Sequence, residues 1–405
     1  MAIQTARPRL VTRPLLVRFV SVAGTALSFY LLLATVPLYA RANGASPGTA
    51  GLTTTALTLA TVAAYLPAPA LLARFGFRVM LAAGLVCLGG PALALATTGS
   101  LPVIMAACVL RGLGFAVLCV AGGALTVSLI PAERRGEGLA LVGVVSGIPS
   151  VAALPLGVWL ATHVGYQLVF TAGGAAALAG LASVPWLPAF GNPDQAPAGR
   201  SGGLVATLRR PGLAQPGITF AATTVAVGVF VTFLPLALAR TAADVTALAL
   251  LVQPAGSIAG RWLAGRHGDR HGAAALLTPG VLAAAAGLAL LSAVRVPVLV
   301  VAGAAVFGVG FGVAQNSTQT LMYDQVPESG YSAVSALWNL AYDSGMGLGA
   351  AGFGLLVTHT GYPIAFALTA VMPPAVLAAG HAVRPFGLIR NRAERAALSP
   401  LTSWM

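Results

Sequence analysis

The chain has no lysine at all, and Asp and Glu together supply only 9 of its 405 residues, against 22 basic residues that are all arginine. Charged residues make up 8% of the sequence and hydrophobic residues 58%. A soluble domain of this length needs a polar surface that such a composition cannot supply, so the chain belongs in lipid. Cysteine is scarce too. Cys87, Cys108 and Cys119 lie in apolar runs without metal-ligand spacing, which excludes a metal site and leaves them as small packing residues. No His-Glu-x-x-His, no glycine-rich phosphate loop ending in lysine and no Gly-x-Ser-x-Gly elbow occurs, and the 5 histidines are scattered at the ends of runs. These absences argue against an enzyme, a bound cofactor and an ATP-driven pump. The net charge of +13 does not imply nucleic acid, because the arginines sit in short segments between apolar runs.

What the sequence does have is long hydrophobic runs. They fall at 15–40, 50–73, 78–97, 102–127, 137–162, 167–188, 214–239, 244–264, 273–294, 297–322, 331–357 and 362–383. At 1.5 Å per residue each can cross a hydrocarbon layer of about 30 Å, and lipid requires such runs to be helical. Twelve crossings put both termini on one side. That side collects Arg7, Arg9, Arg13 and Arg18 before the first run, then Arg74, Arg78, Arg134, Arg135, Arg200, Arg209, Arg210, Arg266, Arg270 and four more after the last run. The opposite side holds Arg41, Arg240 and Arg295, so both termini are expected in the cytoplasm. The first run is too long for a cleaved signal core. The expected location is the inner membrane of a bacterium, as a monomer.

Sliding the chain by 196 residues overlays its first half on its second. Gly112-Leu-Gly114-Phe115 falls on Gly308-Val-Gly310-Phe311, Pro131 on Pro327, and Thr162-His163-Val-Gly165-Tyr166 on Thr358-His359-Thr-Gly361-Tyr362. Several matches at one fixed offset indicate a duplication. We therefore expect an N-terminal half over 1–190, a linker over 191–213 centred on the Pro/Gly/Ser-rich stretch Asn192 to Gly203, and a C-terminal half over 214–405.

The same offset relates Gly265-Arg-His-Gly-Asp269-Arg270-His-Gly272 to a segment ending Ala73-Arg74-Phe-Gly76, two residues before Arg78. A charged turn of this form between the second and third helices of a half resembles the signature loop of the major facilitator superfamily of secondary transporters. The resemblance implies an all-α membrane protein of twelve helices in two pseudosymmetric six-helix bundles, working by alternating access. It implies that the first, fourth, seventh and tenth helices line a central cavity. Arg111 in Leu110-Arg111-Gly112-Leu-Gly114 is similar to the Arg-plus-glycine motif of the fourth helix in proton-coupled exporters of that family. Gly147, Pro149, Pro155 and Gly157 supply pieces of the Gly-Pro motif of the fifth helix in its antiporters, and each proline predicts a bend.

Charges inside the runs are informative, since one at the bilayer centre costs roughly 2.5–3.5 kcal/mol on the insertion scale. Two stand near the middle of their runs, Arg111 and Asp343. Arg111 suits either a solute path or a brace on helix carbonyls. Asp343 suits either proton coupling or packing between the halves, and Asn339, one turn away, is placed to donate to its carboxylate. The tenth run carries Gln315-Asn316-Ser317-Thr318-Gln319-Thr320, of which Gln315, Asn316 and Gln319 can bond to solute or to other helices. Tyr30, Thr224, Ser28, Tyr65 and Gln253 are further cavity candidates. The expected activity is proton-coupled export of small, fairly apolar molecules, with proton-coupled uptake of a sugar, organic acid or other metabolite as the rival and a non-transporting receptor or scaffold as the reading from another class. The expected partners are a small-molecule solute, protons and the lipid bilayer.

Overall fold

A computed structural model of the protein describes residues 12–130, 135–187, 211–238, 243–326 and 331–383, and every regular element among them is helical. The first half comprises α1 (Arg13–Leu33), α2 (Thr35–Ala42), α3 (Pro47–Tyr65), α4 (Ala68–Leu95), α5 (Leu101–Leu129), α6 (Arg135–His163) and α7 (Tyr166–Ala179), which runs into a 3-10 segment at Gly180–Trp186. The second comprises α8 (Pro211–Leu238), α9 (Ala243–His271), a 3-10 turn at Ala273–Leu276, α10 (Leu277–Leu290), α11 (Pro297–Tyr323) and α12 (Tyr331–Val383). Nine segments are long and apolar enough to cross a membrane by length and composition alone. One of these, Ala333–Gly380, is two rods joined at Gly361, and α3 and α6 complete the set of twelve rods.

Helix α3 stays below the hydropathy expected of a span because it carries a run of threonines. Their hydroxyls are satisfied within the helix: Thr53 donates to the Ala50 carbonyl, Thr58 to Thr54 and Thr61 to Leu57, at 2.7–2.9 Å. Its first turn is capped by Ser46, whose Oγ accepts from the Thr49 N–H at 3.1 Å, with Pro47 at the first helical position.

The duplication is written into the backbone. Gly76 has φ +73° and its counterpart Gly272 has φ +87°; Gly165 has φ +126° and Gly361 has φ +73°. Such angles suit glycine, and each of the four reverses the chain between two rods. The glycine contacts repeat as well. A Cβ on Gly112 would fall on the Leu57 carbonyl, and one on Gly308 would fall on the Gln253 carbonyl, 196 residues further on. Gly114 and Gly310 close in the same way on the carbonyls of Gly84 and Gly280. The 196-residue offset is therefore a packing repeat between the second, third and fourth rods of each half.

Three local expectations are corrected. The segment Gly265 to His271 is the helical end of α9, and a single glycine, Gly272, makes the reversal. Arg18 is not ahead of the first span but inside α1, buried, donating to Ser21 Oγ at 2.6 Å and Thr126 Oγ1 at 3.3 Å and so tying α1 to α5. Helix α8 starts at Pro211, so the last residues assigned to the linker are helical, and the stretch from Asn192 to Gly203 lies outside the described residues.

Candidate functional site

The start of α1 and the finish of α12 lie at one end of the bundle, here called the terminus end. The reversals at Gly165 and Gly361 mark the far end. At the far end the halves are sewn together. His163 Nε2 lies 3.7 Å from Asp244 Oδ1, Thr232 donates to Thr54 Oγ1 at 2.9 Å, and Thr55 donates to the Gly347 carbonyl at 3.1 Å. Between α3 and α12 the backbones come close: a Cβ on Gly48 would lie 3.1 Å from the Gly354 carbonyl, and one on Gly51 would lie 2.8 Å from that of Ala350. Among the described hydrogen bonds joining the halves, the one nearest the terminus end runs from the Tyr65 hydroxyl to Asp343 Oδ2, at 2.7 Å.

Past that bond the halves part. On one face of α12, Ala350, Gly347 and Asp343 are buried, whereas Asn339 and Ala336 are exposed. One face of α9 follows the same gradient, from buried Leu250 through half-buried Pro254 to exposed Ile258 and Arg261. A vestibule therefore opens at the terminus end, with Tyr65 and Asp343 at its head.

A polar cluster surrounds that head. Cys119 and Arg261 are accessible to water yet ringed by protein, as the wall of a vestibule must be. Cys119 lies within electrostatic reach of Tyr65 and Asp343, and Tyr30 within reach of Asp343, Cys119 and Arg261. Arg261 faces the hydroxyls of Tyr30 and Tyr342 and has no carboxylate partner among the described residues. The apolar side is aromatic: half-buried Trp338 stacks on Tyr342 at 6.0 Å and is backed by fully buried Phe220 at 4.6 Å, and half-buried Phe115 is backed by buried Phe29 at 3.9 Å. Ser257 Oγ, Gln315 Oε1 and Trp338 Nε1 are buried without a hydrogen-bond partner, although a buried polar atom normally has one.

The residues singled out from sequence divide between this cluster and the scaffold. Asp343 is 6% exposed and heads the vestibule, with half-buried Tyr30 beside it. Asn339 does not donate to Asp343. It is exposed and donates to the Ser335 carbonyl at 3.0 Å, because α3 has diverged at its level, and Tyr65 holds the carboxylate instead. Arg111 is 1% exposed; its two terminal nitrogens donate to carbonyls, Leu88 at 2.8 Å and Ser28 at 3.0 Å, bridging α5 to α4 and α1, and its Nε has no partner. The cavity it borders, with Leu57, Thr54 and Cys108, measures about 10 Å³. That is room for one water and no solute. Thr224 is buried between α8 and α12, donating to Ala221 at 2.8 Å and Ala341 at 3.2 Å. Gln315 is buried near the vestibule, and Asn316 and Gln319 are half-buried on α11. Gln253 underlies Gly308.

In the turn motif, Arg78 donates to the Leu187 carbonyl at 2.6 Å and the Arg74 guanidinium sits 5.2 Å from the Phe75 ring. The side chains of Asp269 and Arg270 lie outside the described residues. Helix α6 passes through Pro149 and Pro155 as one element; Gly157 meets the Leu31 carbonyl of α1, and Gly147 faces open space.

Arg261, Tyr342, Trp338 and Cys119 were not among the candidates. Arg261 stands three residues from the edge of its run, where an arginine reads as a boundary charge. The available signal was that it belonged to neither side of the arginine tally. Cys119 gives this geometry a direct test. A membrane-impermeant maleimide applied at the terminus end should alkylate Cys119 at least tenfold faster than buried Cys108, and application at the far end should leave Cys119 unmodified. Mass spectrometry of the labelled chain reads both sites.

A twofold-repeated bundle of membrane-length rods, sealed at one end and open at the other over a small polar cluster, is the architecture of a solute transporter. The sequence profile of the Major Facilitator Superfamily matches residues 18–350 and 218–404, and the chain belongs to that superfamily. A point mutant of the nucleoside transporter NupG overlays with a TM-score of 0.76 at 13% identity, covering 92% of this chain and 100% of that one. A POT family transporter in complex with a thioalcohol-conjugated peptide gives 0.73 at 12% identity, covering 91% and 95%. A bacterial homologue of the human lysosomal transporter Spinster, inward-facing and unoccupied, gives 0.73 at 15% identity, covering 92% and 96%. No curated protein matches the chain in sequence.

Proposed function

We propose that the protein is a proton-coupled secondary transporter that carries a small, largely apolar organic solute across a bacterial plasma membrane by alternating access, with Asp343 as the group that gains and loses the proton. The observation that carries this reading is the Tyr65–Asp343 hydrogen bond at the point where the α3–α12 seam gives way to the vestibule. A carboxyl group there can exchange protons with water on one side and can feel the closure of the seam on the other, which is what coupling requires. The arginine asymmetry supports a cytoplasmic terminus end, and on this reading the vestibule opens inward.

Direction follows from what shares the vestibule with the proton. Arg261 favours a solute that enters together with the proton, because an exposed cation beside Tyr30 and Tyr342 suits a bound anion. The aromatic walls favour a second reading, in which a neutral or cationic apolar solute displaces the proton and is exported. Reconstitution in liposomes with an imposed pH gradient decides between them. Accumulation of an aromatic acid down the proton gradient, lost on adding a protonophore, supports co-transport; extrusion of neutral or cationic dyes against it supports export. Fluxes indifferent to the gradient in both orientations would sink proton coupling.

A further inference from the structure

The vestibule holds a cation that the coupling mechanism does not by itself need. Arg261 projects from the exposed end of an α9 face whose far-end members are buried, so it enters the vestibule from the second half, across from Tyr30 of the first half. Helices α9 and α11 run side by side in one direction, with Gly308 on the Gln253 carbonyl and Gly312 on that of Ser257. Continuing that register one turn places Gln315 at the depth of Arg261. Of the five unpartnered buried side-chain atoms among the described residues, Ser257 Oγ and Gln315 Oε1 thus flank the arginine and Trp338 Nε1 belongs to the ring stacked against Tyr342; the other two, Arg111 Nε and Gln215 Nε2, are not assigned to this cluster. Two orphaned polar atoms beside a cation that has no carboxylate partner among the described residues, with a third on the neighbouring aromatic cluster, make a site that lacks its ligand.

We infer that Arg261, with the hydroxyls of Tyr30 and Tyr342, forms a subsite for the carboxylate of an aromatic acid, whose ring lies against the half-buried rings of Trp338 and Tyr342. The inference rests on the transporter reading above and narrows its solute class. A guanidinium receives a carboxylate through two parallel N–H donors, phenol hydroxyls add further donors, and stacked rings accept an aromatic body. A neutral or cationic solute would leave the arginine unpaired inside the membrane, and a solute without a ring would leave the aromatic wall uncovered.

The charges around Asp343 then account for coupling. The elements packed against α12 contribute Tyr65 from α3 and Tyr323 from the terminus end of α11, while α8 and α10 contain no titratable residue. Across the vestibule stand Tyr30, Cys119 and Arg261. Arg18 lies behind Cys119, buried and held by Ser21 and Thr126, which leaves Arg261 as the exposed cation of the cluster among the described residues; in this scheme it balances one anion, either ionised Asp343 or the acid. Binding the acid therefore goes with a proton on Asp343, and the pair crosses as a neutral load.

Equilibrium binding to the purified full-length chain at one fixed pH tests the subsite, with phenylacetate, its neutral isostere phenylacetamide and the cation phenethylamine as probes. The wild-type protein should bind phenylacetate at least tenfold more tightly than either of the others, the weight of one charge-assisted contact. Arg261→Gln should abolish that preference while keeping phenylacetamide binding, which also shows that the variant is folded; Arg261→Lys should keep part of it. A wild type that binds the three alike, or binds none, would overturn the inference, as would an Arg261→Gln variant with its preference intact. Because no gradient is applied, a failure here is distinct from a failure of proton coupling, which the liposome fluxes report.

Discussion

Asp343→Asn is expected to reduce gradient-driven accumulation to the level of empty liposomes. Coupling one proton to one solute lets a gradient of one pH unit, about 1.4 kcal/mol, support roughly tenfold accumulation. An amide cannot carry that proton, so the ratio should fall to one at every gradient. It can still accept from the Tyr65 hydroxyl, so the seam and the fold should survive. Counterflow, in which labelled solute exchanges for unlabelled solute without net proton movement, should therefore persist in the variant and lose its dependence on pH. Tyr65→Phe removes the donor but leaves the carboxyl group, and should slow accumulation several-fold without abolishing it. An Asp343→Asn protein that still concentrates solute in response to the gradient would remove Asp343 from the mechanism.

The second large effect should come from a residue with no polar group. Gly51 lies in the seam, where a Cβ would meet the Phe233 ring at 2.5 Å and the Ala350 carbonyl at 2.8 Å. Gly51→Leu drives a side chain into that contact. Overpacking costs about 1–3 kcal/mol, and here the cost falls on the conformation in which the far end is sealed. By population shift this corresponds to roughly a 5-fold to 150-fold bias towards a far-end-open state. Transport should fall by at least tenfold while the protein remains monodisperse. A cysteine placed at Thr55 should become reactive towards impermeant reagents added at the far end, and Cys119 should lose its reactivity towards those added at the terminus end. Unchanged labelling at both sites would mean that the seam does not gate the path.

The sequence carried the architecture because the architecture repeats. An offset of 196 residues could be read from Gly112 and Gly308, and in space it fixes which carbonyl each glycine approaches. Lipid forces apolar runs into helices, so the rods were legible too. The site was less so. Asp343 stood out as a lone acid in an apolar run, but its partner did not, because Tyr65 lies 278 residues away and meets it only through the contact between the halves. Asn339 looked like the partner because helical spacing is local, whereas the divergence of α3 from α12 is a tertiary fact. Arg111 and Arg261 show the opposite error. The arginine in mid-run drew attention and is held by carbonyls, while the one near the edge of its run faces the vestibule. Depth in a run reports distance from water only when the rod is surrounded by lipid, and an open vestibule brings water to the middle of the bundle.

The threonines of α3 have a consequence for how easily the sealed end can come apart. Thr53, Thr58 and Thr61 each donate to a carbonyl of their own helix, and Thr55 divides its hydroxyl between Gly51 at 3.3 Å and Gly347 at 3.1 Å. When the two helices withdraw from one another, none of these hydroxyls is stranded, since each retains a private acceptor. The closure behaves like a zip whose teeth grip largely by shape: it holds through close backbone approach, and the polar bonds lost on opening are confined to Tyr65–Asp343, Thr232–Thr54 and His163–Asp244 among those described. A polar-looking helix can thus serve as a sliding surface most of whose hydroxyls are satisfied from within.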